Sequence, residues 1–365
     1  MPSPLALTSR AKILLAIGLV VLVALSIHRM WFAEVPGPYI SFGGSTMGTS
    51  WEVKLAGTRL RPNDIRAAAA AAEQSLDEVV DLMSTWEPDS EISRFNAHHS
   101  EAPFPVAPET LEVVSAAQAV SRTTGGAFDI TVGPLVDAWG FGPEGPPETP
   151  PDPERLAAIQ QEVGFQRLEV NHPAGTLRKQ KPELEIDLSA IAKGYAVDQV
   201  ARALDGLGHH NYLVEVGGEI RTAGKKNGGR PWRVAIERPS EGDRAIQETL
   251  ELTDLSMATS GDYRNYYQQG DERISHTVDP RTGRPIRHRL ASVSVVDSSA
   301  MQADAWATAL NVLGPESGYT LAESQGLAAY FILRSESGFS IRATLGMQAL
   351  LAEKDVSPPK AGEGT

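Results

Sequence analysis

Alternating apolar and polar residues mark the first folded element of the chain. In Thr49–Leu55, TSWEVKL, the side chains of Trp51, Val53 and Leu55 fall on one face of an extended segment, the period-two pattern of a half-buried strand. The period then lengthens. In DIRAAAAAAEQSLDEVVDLMSTW, Leu76, Val79, Val80 and Met83 form a stripe at helical spacing, and Asp64 stands where an N-cap is expected. A second helix is predicted from near Pro108 through ETLEVVSAAQAVSRTT, stopped by Gly125-Gly126. Short strands recur at LEIDL, YLVEV, WRVAIE, LSMATS and ASVSVV, and further helices are predicted from Ser189 to Leu207 and from Gln302 to Leu313. Strands clustered with helices at intervals indicate an α+β fold, with a mixed or antiparallel sheet flanked by helices, and not a regular βαβ alternation. The stretch GPEGPPETPPDPE reads as a surface loop, and no internal repeat occurs at the usual periods.

The ends of the chain follow different rules. After Arg10 and Lys12, ILLAIGLVVLVALSI supplies roughly 15 apolar residues, shorter than the about 20 of a full membrane span. Residues 1–32 are therefore predicted to be a signal peptide, with Ala24-Leu25-Ser26 as the cleavage site, or an anchor extended through Met30-Trp31-Phe32. With either outcome the positive N-terminal flank predicts an exported body, residues 39–354, followed by a disordered tail over residues 355–365.

Composition narrows the chemistry. Asp and Glu outnumber Lys and Arg 46 to 33, a net charge of -13, which argues against a broad nucleic-acid surface. The chain has no cysteine, so disulfides, thiolate catalysis and iron-sulfur clusters are excluded. G-x-G-x-x-G, P-loop, G-x-S-x-G and H-E-x-x-H patterns are also missing.

What remains is local. In MQADAWATALNVLG, a helix ended by Gly314 would stack Asp304 and Thr308 at i and i+4, a hard-oxygen pair suited to Mg²⁺. Taken alone, such a pair is better explained as a solvated Asp and a back-bonded Thr. In EIDLSAIAKGYAVDQV, a strand ending at Leu188 is predicted to feed a helix capped by Ser189. That places Lys193 in the first turn, where a cation is unfavourable for the helix and useful to a bound anion; a solvated lysine is the ordinary alternative. Asp187 fits a cap or a supporting role at such a site equally well. Three glycine-rich turns, FGGSTMGTS, TTGGAFDITVGPL and VEVGGEI, would admit close backbone approach by a ligand, and Phe128-Asp129 offer an aromatic edge and an acceptor, with Phe128 in the core as the default. In ISHTVDPRTGRPI, Asp279 to Gly283 reads as a hairpin turn, and His276 is either a strand residue or a base.

Taken in order, STMGTSWEVKL, MSTWEPDSEISRFN, GGAFDITVGPLVDAWGFG, IDLSAIAKGYAVDQV, YLVEVGGEI, MATSGDYRNYY, HTVDPRTGRPI and ADAWATALNVLG resemble the motif series of the ApbE family, the FAD:protein FMN transferases, from Ser45 to Gly314. The resemblance implies an exported, Mg²⁺-dependent enzyme that moves the FMN half of FAD onto a Thr or Ser hydroxyl of an acceptor protein, leaving AMP. Its acceptors would be subunits of membrane redox complexes or flavin-binding domains, and its place the periplasmic face of the inner membrane. Carried onto this sequence, the flavin positions are Met47, Trp86, Ala127, Phe128, Asp129, Asp187, Lys193 and Val278. The metal positions are Ala190, through its carbonyl, with Asp304, Ala307 and Thr308. Within that reading His276 is the base for the acceptor hydroxyl, and Lys193 a fixed cation at the phosphates.

Three departures stand out. Trp86 replaces a common tyrosine, Ala307 replaces an aspartate of some members, and without cysteine the chain cannot be a lipoprotein as many relatives are. The same site using water would be an FAD pyrophosphatase, and without chemistry it would be an FAD carrier.

Overall fold

The computed structural model describes residues 39–355, apart from 58, 143–144, 148, 241–244, 264–265, 270–271 and 337. The expected signal or anchor at 1–32 and the tail beyond Asp355 lie outside the described residues. Asp355 itself, assigned to the tail from sequence, ends a helix.

Eight strands form the main sheet in the order in which the chain makes them: β1 (Ile40–Thr46), β2 (Thr49–Leu55), β3 (Tyr212–Val216), β4 (Glu219–Ala223), β5 (Ser256–Gly261), β6 (Leu290–Asp297), β7 (Ala328–Ser335) and β8 (Gly338–Ala343). Every neighbouring pair is antiparallel. The alternation in β2 does what it predicts: Trp51, Val53 and Leu55 sit opposite Val216, Val214 and Tyr212 and enter one core with them. Five helices are used below: α1 (Pro62–Met83), α2 (Pro108–Thr123), α3 (Ser189–Gly206), α4 (Ala300–Ser324) and α5 (Leu345–Asp355). Helices α3 and α4 pack on each other and cover the face that carries Trp51 and Val53. The opposite face, carrying Leu213 and Met257, is covered by a hairpin of Trp232–Glu237 and Ile246–Leu252 together with α5, which builds a second core.

Several boundaries differ from expectation, each for a local reason. Asp64 is not the cap of α1 but its third residue; the helix begins at Pro62, and the Asp64 carboxylate accepts from the Arg61 backbone N–H at 3.0 Å. Proline at the first position needs no N–H partner, so the start moves forward to it. LEIDL is extended but joins no sheet, because the Asn96 side chain takes both its edge groups: its amide donates to Ile186 O and its oxygen accepts from Ile186 N, each at 2.9 Å. Ser189 is the first residue of α3 and not its cap, which is Leu188. The proline-rich loop turns helical at its end, over Pro153–Gln160, where Asp152 caps Glu154 N–H at 2.7 Å. Helix α4 starts at Ala300 with Ser299 as its cap; Gly314 (φ 78°) breaks it where expected, but a further helical run after Pro315 reaches Ser324.

Candidate functional site

Where α3 meets α4, one position has no room for a side chain. A Cβ on Gly194 would overlap the carbonyl oxygen of Ala300 and lie 2.8 Å from Cβ of Asp304. The missing side chain lets the Gly194 N–H donate directly to Asp304 Oδ2 at 2.9 Å. Gly194→Ala is therefore expected to cost about 1–3 kcal/mol through overpacking. A thermal melt monitored by circular dichroism should show a midpoint several degrees lower; an unchanged midpoint would mean that the helices part freely here.

The contact is held from the next turn of α3. Asp198 accepts from Ala300 N at 3.1 Å, Met301 N at 3.0 Å and Ser299 Oγ at 2.7 Å, and is paired with Arg221 at 2.7 Å. A carboxylate from one helix thus satisfies the open N–H groups of the other and fixes their register. One result is that Asp304 and Thr308 share a face of α4, as their i, i+4 spacing predicts, and both open on one cavity of about 760 Å³.

The other walls come from distant parts of the chain: the loop Ala127-Phe128-Asp129, the start of α3 with Asp187, Ala190 and Lys193, the segment containing His276 and Val278, and the turn Gly217-Gly218 with Glu219. The cavity also reaches the second face of the sheet, where Glu52, Lys54, Glu215 and Arg233 line it.

Three charged groups of the cavity meet in one triad. Lys193 Nζ lies 3.0 Å from Glu219 Oε1 and 3.8 Å from Asp304 Oδ2. Burial alone would lower the lysine pKa, but the two carboxylates outweigh it and hold the ammonium firmly charged. Burial drives both acids the other way: Glu219 is pushed up to about 7, and Asp304, only 2% exposed, is raised as well. Thr308 Oγ1 is held by Ser260 Oγ at 3.0 Å, which orients its hydroxyl.

Other expected site residues have structural duties. Asp129 is buried and raised in pKa by that burial; it spends its oxygens on Thr131 N–H (2.8 Å), Thr131 Oγ1 (2.7 Å) and Phe165 N–H (2.8 Å), so it shapes the loop and offers little to a heterocycle. Phe128 and Val278 are buried core residues that also reach the cavity. Asp187 accepts from Ser189 N–H at 2.8 Å, the capping alternative, while its own N–H bonds Ile130 O at 2.7 Å and ties the Asp129 loop to the start of α3. The ring of His276 meets the edge of Phe141 at 6.2 Å, and the following turn is the expected one, with Asp279 accepting from Arg281 N–H at 2.9 Å and Gly283 at φ 66°.

Three expected positions are not on the cavity wall. Met47 sits in the two-residue β1–β2 turn at φ 48°, its side chain against the main core; such a turn needs positive φ at both central residues, and Gly48 is the second. Trp86 is 67% exposed on the segment after α1. Ala307 is fully buried on the core face of α4, because a residue one position before Thr308 points about 100° away around the helix. Conversely, sequence reasoning passed over Glu219, Gly194, Asp198 and Ser260. In VEVGGEI attention went to the glycines, though the acid beside them carries the charge.

Known proteins resemble this chain over most of its length. The profile described as the ApbE family matches residues 47–331. A FAD:protein FMN transferase of Vibrio cholerae is 44% identical over 322 residues, 88% of this chain and 95% of that protein. The solved flavin transferase ApbE from Vibrio cholerae superposes with a TM-score of 0.79 at 43% identity, covering 86% of this chain and all of that one. The apo form of the Pseudomonas stutzeri flavinyl transferase ApbE gives 0.78 at 39% identity, covering 86% and 96%. With the family match spanning residues 47–331 and relatives of this identity covering most of its length, the chain belongs to the ApbE family.

Proposed function

We propose that this protein is an FAD:protein FMN transferase that attaches the FMN half of FAD to a threonine or serine hydroxyl of an acceptor protein and releases AMP. The reading is carried by one observation: Lys193, Asp304 and Thr308, from two different helices, converge on a cavity also walled by Ala127-Phe128-Asp129, Ala190, His276 and Val278. The relatives' names state transfer of FMN from FAD to protein, or flavin transfer, for those proteins.

The donor set fits Mg²⁺. Asp304 and Thr308 are oxygen donors, the chain has no thiol, and a buried carboxylate oxygen of Glu219 has no hydrogen-bond partner in the same cavity. Asp304, Thr308 and the carbonyl of Ala190 would hold the ion, which when bound supplies charge stabilisation for phosphoryl transfer. The protein's own residues do the rest. Lys193, the fifth residue of α3, keeps a permanent ammonium on the cavity wall for the phosphates. His276 accepts the proton of the acceptor hydroxyl as its oxygen bonds to the FMN phosphorus and the bond to the AMP oxygen breaks. The polar extension beside Glu52, Lys54 and Arg233 gives the acceptor segment a way in. Residues 1–32 would deliver the enzyme to the periplasmic face of the inner membrane, anchored or released, where subunits of redox complexes present such hydroxyls.

Incubating the protein with FAD, Mg²⁺ and an acceptor domain, followed by intact-mass measurement, tests the reading. The expected product is the acceptor heavier by FMN less one water, with AMP in equal amount. Free FMN and AMP with no adduct would instead make the protein a pyrophosphatase, and intact FAD would make it a carrier.

A further inference from the structure

We propose that Glu219 is a second carboxylate ligand of the divalent cation, replacing the carboxylate that Ala307 cannot supply; this rests on the metal reading above. Glu219 opens β4 directly after the Gly217-Gly218 turn and is only 4% exposed. Its Oε1 accepts from Lys193 Nζ at 3.0 Å, whereas Oε2 is buried with no hydrogen-bond partner. A buried carboxylate oxygen without a partner is costly, and it is retained where something else satisfies it.

The neighbourhood says what that is. Glu219 and Asp304 both lie within ion-pair distance of the same ammonium, so two buried acids share one positive charge and a negative charge is left over. Both line the cavity with Thr308 and Ala190, and the donors that these four residues offer are hard oxygens. A divalent cation balances both carboxylates, where one lysine balances only one. Gly217, at φ 61°, turns β3 into β4, and a Cβ there would meet the Thr49 side chain at 2.9 Å and Lys193 Cδ at 3.4 Å. The arrangement also gives Lys193 two settings. Without metal it neutralises the acids; with metal bound between them, its ammonium is released toward the phosphates of the substrate.

The experiment is Mn²⁺ binding to the full chain without FAD, read from loss of the free-ion EPR signal, for wild type, Glu219→Gln, Asp304→Asn and Lys193→Met. Glu219→Gln keeps the shape and is expected to weaken Mn²⁺ binding by more than about 100-fold, beyond the roughly 10–100-fold that loss of a supporting group costs. Lys193→Met removes the competing cation and is expected to tighten it. If Asp304→Asn loses Mn²⁺ while Glu219→Gln binds as wild type, Glu219 is not a ligand and the inference falls, the metal reading standing. Unchanged or weaker binding by Lys193→Met overturns it equally, and that variant decides the matter should Glu219→Gln fail to fold. If neither acid variant alters Mn²⁺ binding, the metal site itself has been misplaced.

Discussion

Replacing Asp304 with asparagine is expected to lower FMN transfer on the order of 10³-fold while leaving the chain folded, the loss typical of removing a charge that organises stabilisation of the transition state. The side chain sits at the one place where α3, α4 and Lys193 meet. Its Oδ2 takes the Gly194 N–H and faces the lysine at 3.8 Å. Asparagine retains an oxygen for Gly194, so the helix junction survives, but the negative charge is lost to both Lys193 and the cation. Alanine is a harsher test, because it strips the partner from the buried Gly194 N–H and leaves Lys193 with Glu219 alone, and should destabilise by about 1–3 kcal/mol in addition. Initial rates of acceptor adduct formation by mass spectrometry, with a melting curve for each variant, separate the two effects. Transfer by Asp304→Asn within a few-fold of wild type would refute the assigned role.

The second large effect is expected at His276. Its substitution by alanine should reduce the rate on the order of 10²-fold, the usual contribution of a positioned general base. A base is better identified by pH than by rate alone. Wild-type turnover should depend on pH through the base, and the variant should lose that dependence while keeping its affinity for FAD. The turn that follows has bonds of its own, Ile286 N–H to Thr277 O at 3.0 Å and Gly283 N–H to Asp279 O at 2.8 Å, and a melting curve for the variant separates a lost base from a lost fold. A variant that is slow but keeps the wild-type pH profile would place the base elsewhere and leave His276 as a wall of the cavity beside Phe141.

Fold class was readable in the chain because periodicity is a local property. The two-residue alternation of TSWEVKL and the helical stripe of α1 report which side of each element is buried before any partner is known. Misreadings arose where a distant group intervened. LEIDL has the composition of a strand, yet Asn96, 90 residues earlier, occupies its hydrogen bonds. A cap at Asp64 or Ser189 is likewise a fair local expectation, displaced by one or more residues once the chain enters the helix from a particular direction.

For the site, the i, i+4 spacing of Asp304 and Thr308 was written in the sequence, as was the helix that presents Lys193. Their meaning was not. A lone acid and hydroxyl on a helix are ordinary, and only their resemblance to a family motif raised them above that. Lys193 and Glu219 are 26 residues apart, and Gly194 and Asp304 are 110 apart, so no window of sequence shows that one ammonium stands between two buried acids. The sequence by itself determined which segments are strands or helices, which faces they bury, and which oxygens and cations are available, because those depend on neighbours a few residues away. Tertiary structure alone decided that two helices approach without a side chain between them at Gly194, that Ala307 faces the core, and that Glu219 brings an unsatisfied oxygen into the cavity, because burial and charge coupling depend on what packing brings near.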